Sequence, residues 1–571
     1  MSITYPISYK IPPGQTKLDE GWTEMLHAVK IIKKLQRHAP PLQPVSQDRE
    51  LPLSFAQQRI WFLNQLEPDS PAYNRARAYR ITGSLNVAAL EQSLNEIVQR
   101  HKILRTTFPT INGQPTQSIV PDMTLILPVV DIPEQEQETK VLQLATEDIQ
   151  RPFNLAQGPL LRATLLRLGK EKHVLLLTIH QIVIDDRSWG RLNREMSVLY
   201  EAFYAGKPSP LSELSIHYAD FAHWQREWLR SDVQQTQVSY WKQQLGNRFH
   251  LLPIPTDRSP QAANTFQSAK QSFEFSKELS DALKVLSQRE GVTLFTMLLA
   301  AFKTLLYRYT EQEDIFVFSS ADGRNRVAFK ELIGLFTNLL ILRTDFSGDP
   351  SFLELLSRVR EVVLGAYAHQ DWPFDKLLEL IQLEPSLNHA SLFQVMFTFL
   401  NVPSPPPALS NLTVNTFNID DGTTRFDLTL LIEKTEQGLV GRLKYKTALF
   451  NADTIIRFIK HFQMLLEGIV TNPNQRLSEL PCLTEAEQEQ LSVRRNDLQT
   501  TDKFIPNPFS DDHASRLYKT GESYVTYVMP QTEAEQRIAQ VWQQALQLDK
   551  VGIYDNFFEL GGHSSLLVQV Q

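Results

Sequence analysis

The sequence predicts an α/β fold in two lobes, on three observations. The chain has 571 residues, more than one hydrophobic core can fill, because cores stop growing at roughly 250–300 residues. Between residues 49 and 485, short β-like runs alternate with segments of helical period, the sign of α/β layering. A second helix-rich start near residue 279 divides that stretch in two. The expected organisation is an N-terminal appendage (1–48), a first lobe (49–230), a second lobe (231–485), a linker (486–529) and a small helical C-terminal segment (530–571).

In the appendage, Gly21 to His38 suits one amphipathic helix, and the prolines of "APPLQP" then break it. Order begins at "LPLSFAQQRIWFLNQLEP", where Phe55, Ile60, Trp61, Leu63 and Leu66 suit one helix face. Leu85 to His101 carries Val87, Leu90, Leu94, Ile97 and Val98 at helical spacing. His173 to His180, "HVLLLTIH", reads as a strand. Thr293 to Thr310 is a strongly apolar helix, and Asp314 to Gly323 is a strand running into a turn. Phe426 to Thr447 alternates like a β-hairpin turning near Glu436 to Gly438, and Asn451 to Val470 is helical. Arg494 to Ser523 is polar and proline-containing, a linker composition. After it, Thr532 and Glu535 have capping-box spacing, and Ile538, Val541, Trp542, Ala545 and Leu546 form one apolar face.

The 42% hydrophobic content is that of a soluble globular protein. A net charge of -7 over this length implies no broad basic surface for nucleic acid. No apolar run reaches the roughly 18 residues of a membrane span; the longest candidate is Leu332 to Leu342. The N-terminus lacks the pattern of a signal peptide. Cys482 is the single cysteine, so there is no internal disulfide and no Cys-x-x-Cys zinc spacing. The expected compartment is the cytoplasm.

The stretch "LLLTIHQIVIDDRSWG" (Leu175 to Gly190) is chemically the most suggestive. An apolar strand ends at His180, followed by Gln181 and, after three branched residues, by Asp185 and Asp186. A strand end can hold an imidazole rigidly in a cleft, where it acts as acid or base near neutral pH. The alternative is a buried histidine bonded to backbone. Carboxylates on one loop with no further histidine nearby do not define a metal site, so no metal is expected.

Seven short motifs in order give that stretch a context. "SFAQQRIWFL", "RHKILRTTF", "HQIVIDDRS", "HYADFAHW", "IGLFTNLL", "HQDWPFDKLLE" and "SLNHASLFQ" resemble, across residues 49–485, the condensation domains of nonribosomal peptide synthetases. The resemblance implies two lobes, each like chloramphenicol acetyltransferase, in a V arrangement. It also implies a site where two phosphopantetheine arms bring acyl donor and amine acceptor together to form an amide, with proximity supplying much of the catalysis. The partners would be carrier proteins and other synthetase modules. By the same resemblance, His180 is the structural first histidine of an H-H-x-x-x-D-G motif. Gln181 stands where the family orients or deprotonates the amine. Asp185 is the motif aspartate, with Arg324 of "ADGRNR" its expected salt-bridge mate. Asp186 replaces the family glycine, where its bulk is expected to narrow the tunnel. Glutamine can hold an amine by its oxygen but cannot take a proton near pH 7.

The C-terminus, "DNFFELGGHSSLL", resembles the modification site of a peptidyl carrier protein, which implies phosphopantetheine on Ser564 by a phosphopantetheinyl transferase. A serine at a helix start suits a phosphodiester, although the same residue could serve as an ordinary N-cap. Seven residues follow Ser564, so the carrier segment reads as partial and its loading is expected to be poor. "SRLYKTGES" (Ser515 to Ser523) resembles a scrap of an adenylation domain, and the linker cannot hold the rest, so amino-acid activation by this chain is not expected. The leading expectation is an amide-forming acyltransferase with a degenerate motif. A catalytically silent docking module or a decayed synthetase fragment is the alternative.

Overall fold

The computed structural model describes residues 40–46, 50–133, 137–230, 233–246, 251–258, 266–324, 326–381, 392–400, 405–417, 419 and 422–482, with 536, 539, 540, 543 and 550 beyond them. The expected Gly21–His38 helix, the linker and Ser564 lie outside the described residues.

The first half is built on β1 (Leu51–Pro52), α1 (Phe55–Leu66), β2 (Asn74–Thr82), α2 (Val87–Arg100), β3 (Thr106–Thr107), β4 (Thr110–Ile111), β5 (Gln114–Ile119), β6 (Val129–Asp131), α3 (Gln137–Gln150), β7 (Leu161–Arg167), β8 (Lys172–His180), α4 (Asp186–Tyr204), α5 (Tyr218–Leu229) and α6 (Val233–Leu245). The second half contains β9 (Ser268–Glu274), α7 (Lys277–Arg289), α8 (Leu294–Thr310), β10 (Asp314–Ala321), β11 (Asn338–Asp345), α9 (Phe352–Ala368), α10 (Phe374–Leu378), β12 (Val395–Leu400), β13 (Thr413–Phe417), β14 (Leu428–Lys434), β15 (Leu439–Lys446) and α11 (Ala452–Thr471).

The described residues form three sheets. A six-stranded sheet runs β11-β10-β12-β14-β15-β9, and a small sheet joins β1, β3 and β4 to β5. The five-stranded sheet runs β13-β2-β8-β7-β6. Its edge strand β13 comes from the second half of the chain and pairs antiparallel with β2, Thr413 opposite Thr82 and Phe417 opposite Ala78. This crossing strand ties the halves together through backbone hydrogen bonds.

The centre of the five-stranded sheet is β8, where Val174 to Ile179 are buried on both faces. That double burial explains its continuous apolar run. α1 departs from the expected face at one turn: Leu66 is exposed, and Phe62 is buried instead. α2 follows its pattern, with Leu90, Leu94, Ile97 and Val98 inside. α8 is apolar around its whole circumference because it is enclosed, with Met297 to Leu306 all buried. Among the described residues no single helix is long and apolar enough to cross a membrane.

Inside α8 sits Lys303. Its ammonium donates to the Leu342 carbonyl at 2.6 Å and to Thr344 Oγ1 at 2.7 Å. Burial pulls its pKa down to about 7 from 10.5, against a weaker opposing pull from Asp314. Between those values the unfolded chain binds the proton and the folded chain has released it, so stability rises with pH. Urea unfolding from pH 7 to pH 10 is expected to show stability climbing by up to about 1.4 kcal/mol per pH unit relative to Lys303→Met. Parallel curves for the two proteins would contradict this.

Candidate active site

Pairing of β2 with β8 sets Asn74 opposite His180 at the strand end. Beyond it the chain makes one short helical turn, Gln181–Val183, and enters α4 with Asp185 as N-cap. The His180 ring is 1% exposed, between Phe153 at 6.0 Å in an edge contact and Tyr73 at 6.1 Å. Its Nδ1 accepts the Ile182 N–H at 3.3 Å. The ring proton of the neutral form is therefore on Nε2, which has no hydrogen-bond partner among the described residues. Burial, reinforced by the guanidiniums of Arg75 and Arg162, lowers its pKa to about 3. At neutral pH His180 is an uncharged imidazole, and its one lone pair is already engaged.

Gln181 is partly buried. Arg75, on β2, donates from Nη2 to Gln181 Oε1 at 2.5 Å, and from Nη1 to the Ala72 and Asn74 carbonyls at 3.2 Å each. Arginine only donates, so chemistry fixes which end of the amide faces it. The Gln181 oxygen, expected to be free for an amine, is thus committed to a cation. Its amide hydrogens meet no acceptor among the described residues.

Asp185 is fully engaged. Oδ1 accepts from the Ser188 backbone at 2.9 Å and the Ser188 hydroxyl at 2.7 Å. Oδ2 accepts from Arg324 Nη1 at 2.6 Å and Phe336 N at 2.9 Å. Arg324 also donates from Nη2 to Ser188 Oγ at 2.8 Å, and its guanidinium lies 4.3 Å from the centre of the Phe336 ring. Burial works against the Arg324 charge, but Asp185 and then Asp322 more than offset it and raise the pKa. Arg324 reaches inward because Gly323 takes φ +70°, where a Cβ would collide with the Phe336 carbonyl. Asp186 is exposed on the first turn of α4, where its charge suits the helix N-terminus. Among the described residues no group of three or more His, Cys, Asp or Glu could hold a metal.

Other motif residues hold this loop in place. Ser54 caps α1 with Gln57 in a reciprocal capping box, and Gln57 Nε2 donates to the Ile182 carbonyl at 3.2 Å. Ser54 Oγ lies 2.9 Å from the Tyr218 hydroxyl, which donates to the Leu335 carbonyl. Glu195 of α4 binds His101 Nε2 at 2.8 Å, Arg191 at 2.7 Å and Arg100 at 3.2 Å. Burial would raise the Glu195 carboxyl, but the hydrogen bond from His101 and the two guanidiniums hold it down at about 2. Asn338 donates to the Gln370 and Trp372 carbonyls and accepts from Phe374 N. Sequence reasoning singles out these strings without finding their contacts, and it misses Arg75 altogether. Only the β2–β8 register brings Arg75 beside residue 181.

Two cavities of about 180 Å³ each lie elsewhere, one lined by Glu50, Gln58 and Arg226, the other by Lys102, His217 and Asp220. Removing one member of a buried ion pair strands the other, at about 3–5 kcal/mol. Asp185→Asn and Arg324→Met are each expected to cost that much in urea unfolding, and the double variant clearly less than their sum. Additive losses would show that the two residues act separately.

The model of the family "Condensation domain" matches residues 47–492. One of the linear gramicidin synthase proteins of Brevibacillus parabrevis is 46% identical over 462 residues, 80% of this chain but 9% of that protein. The phosphinothricin tripeptide synthetase PhsC of Streptomyces viridochromogenes is 36% identical over 455 residues, 79% of this chain and 42% of its own length. The chain thus spans about a tenth of the gramicidin synthase protein it matches. Among solved structures, the X-domain from teicoplanin biosynthesis superposes with a TM-score of 0.72 at 27% identity, covering 78% of this chain and all of that one. The first condensation domain of the calcium-dependent antibiotic synthetase shares the fold with a TM-score of 0.64 at 20% identity, covering 76% of this chain and 100% of that one. By its mixed α/β fold and the matched span, this chain belongs to the condensation-domain family of nonribosomal peptide synthetases.

Proposed function

We propose that the chain is a condensation-type acyltransferase that joins a carrier-bound acyl thioester to an amine. The amine nitrogen attacks the thioester carbonyl, the C–N bond forms, the C–S bond breaks, and the departing thiolate takes the proton that the amine loses. The observation that carries the proposal is the state of Gln181. Arg75 occupies its oxygen and leaves its amide hydrogens unpartnered among the described residues, beside the buried, neutral His180. Such a side chain suits a carbonyl oxygen that gains negative charge, rather than an amine. It acts as a donor to the oxyanion, while His180 shapes the turn that presents it. No protein base with a pKa near 7 is assigned to the step, so the acceptor must arrive as the free amine.

Amide product from loaded donor and acceptor carriers tests this. Gln181→Leu, which removes the donor, is expected to lower the rate about 10²-fold. The wild-type rate should rise with pH along the acceptor amine's own titration. Gln181→His is expected to restore base assistance and match or exceed the wild type. A Gln181→Leu rate equal to the wild type would overturn the donor role.

A second reading is a silent recruitment module. It is supported by the likeness to the teicoplanin X-domain, which is also known in a complex with OxyB. Silence of wild type and Gln181→His together would favour it.

For the C-terminal segment, we propose that Ser564 receives phosphopantetheine from a phosphopantetheinyl transferase, in the cytoplasm, with carrier proteins and other synthetase modules as partners. The support is the G-G-H-S string alone. Intact-mass analysis after transferase treatment is expected to show partial addition, lost in Ser564→Ala. Addition that persists in Ser564→Ala would move the site.

A further inference from the structure

Among the described residues, the interior beside Gln181 holds two guanidiniums, Arg75 and Arg425, that make no ion pair. Arg75 binds Gln181 and two backbone carbonyls, all uncharged acceptors. Arg59, on α1, lies 3.6 Å from Asp375 of α10. Arg425, in the turn before β14, lies over the Phe393 ring at 4.7 Å and the Tyr73 ring at 5.4 Å. Among the described residues it makes neither a hydrogen bond nor an ion pair. Tyr73 is the ring that contacts His180, so Arg425 stands one aromatic ring away from the end of β8.

These charges affect one another. Burial lowers the Arg425 pKa most; Tyr73 opposes it, Arg59 and Arg75 lower it further, and Asp375 gives the smallest support. Burial pushes the Asp375 carboxyl upward, so it is a poor counter-charge. Among the described residues, the one ion pair that these three guanidiniums make is that of Arg59 with Asp375. A buried, unpaired guanidinium costs several kcal/mol, so a purely structural cation is normally paired. Arg425 keeps partial accessibility, so it borders open space. With rings rather than acceptors beside it, the guanidinium keeps its N–H donors available, and a planar bidentate anion fits them.

We propose that Arg425 receives a carboxylate carried by the substrate, so that the site selects an acidic donor or acceptor. The inference rests on the acyltransferase reading for what counts as substrate. Two sources share this chemistry: the side-chain carboxylate of an acidic aminoacyl group, and the free α-carboxylate of an acceptor that is not attached to a carrier. The phosphate of a phosphopantetheine arm does not compete for this place, because a whole pantetheine separates it from the reacting thioester.

Calorimetric titration of the full chain tests this without catalysis. Glutamyl-pantetheine amide is compared with glutaminyl-pantetheine amide, and alanine with alaninamide, each pair differing in one negative charge. At least tenfold tighter binding of the charged member is expected in one pair, and that pair identifies the source. Arg425→Gln should abolish the preference, and Arg425→Lys should keep part of it. Equal affinities in both pairs, no binding of any probe, or a preference that survives in Arg425→Gln would overturn the proposal. The wild-type comparison needs no variant and so does not depend on how Arg425→Gln folds. Amide formation is measured separately. A charge preference without product leaves the acidic site standing and removes the acyltransferase reading; product without a charge preference does the reverse.

Discussion

The ion pair between Asp185 and Arg324 is the contact on which the candidate site depends. It joins residues 139 positions apart in sequence, the N-cap of α4 and the turn after β10, at 2.6 Å and almost out of reach of solvent. Taking two charges out of water is costly, and their attraction offsets that cost only when the other lone pairs and protons are also satisfied. Here they are, by the backbone and hydroxyl of Ser188 and the N–H of Phe336. The same few atoms fix where α4 begins, where the turn after His180 ends, and how the "IGLFTNLL" segment lies against both. A loop anchored at that many points presents residue 181 in one place.

The other motifs extend that anchoring from different sides. Gln57 binds the carbonyl of Ile182 from α1, and the Ser54–Tyr218–Leu335 chain carries the constraint from the first motif through the fourth to the fifth. The cluster at Glu195 secures α4 against α2, using the arginine and histidine of the second motif. Gly334 belongs to the same seam, since its backbone packs so closely on the Tyr218 ring that a Cβ would overlap it. Strings that look like separate signatures are, in the fold, successive links around one turn.

Electrostatics then limits the chemistry. Arg75 and Arg162 add to burial in keeping His180 neutral, and Arg75 turns Gln181 so that its donors are left over. In the proposed reaction a site with these properties stabilises developing negative charge and has little to offer an incoming proton. The partly uncompensated guanidiniums around Tyr73 extend the same positive potential away from residue 181.

The sequence by itself determined the alternation of helix and strand, the apolar length of β8, the all-round apolarity of α8 and the identity of the residues at the strand end, because period and burial are written locally along the chain. The order of motifs was sufficient for the family. Only the tertiary structure decided what those residues can do. It placed β13 beside β2, moved Asp186 out to solvent, buried Lys303 within an apolar helix and set Arg75 and Arg425 near positions 106 and 245 residues distant. A side chain's partners and its pKa depend on neighbours that arrive from remote segments and on the water they exclude, and neither is encoded at the position itself.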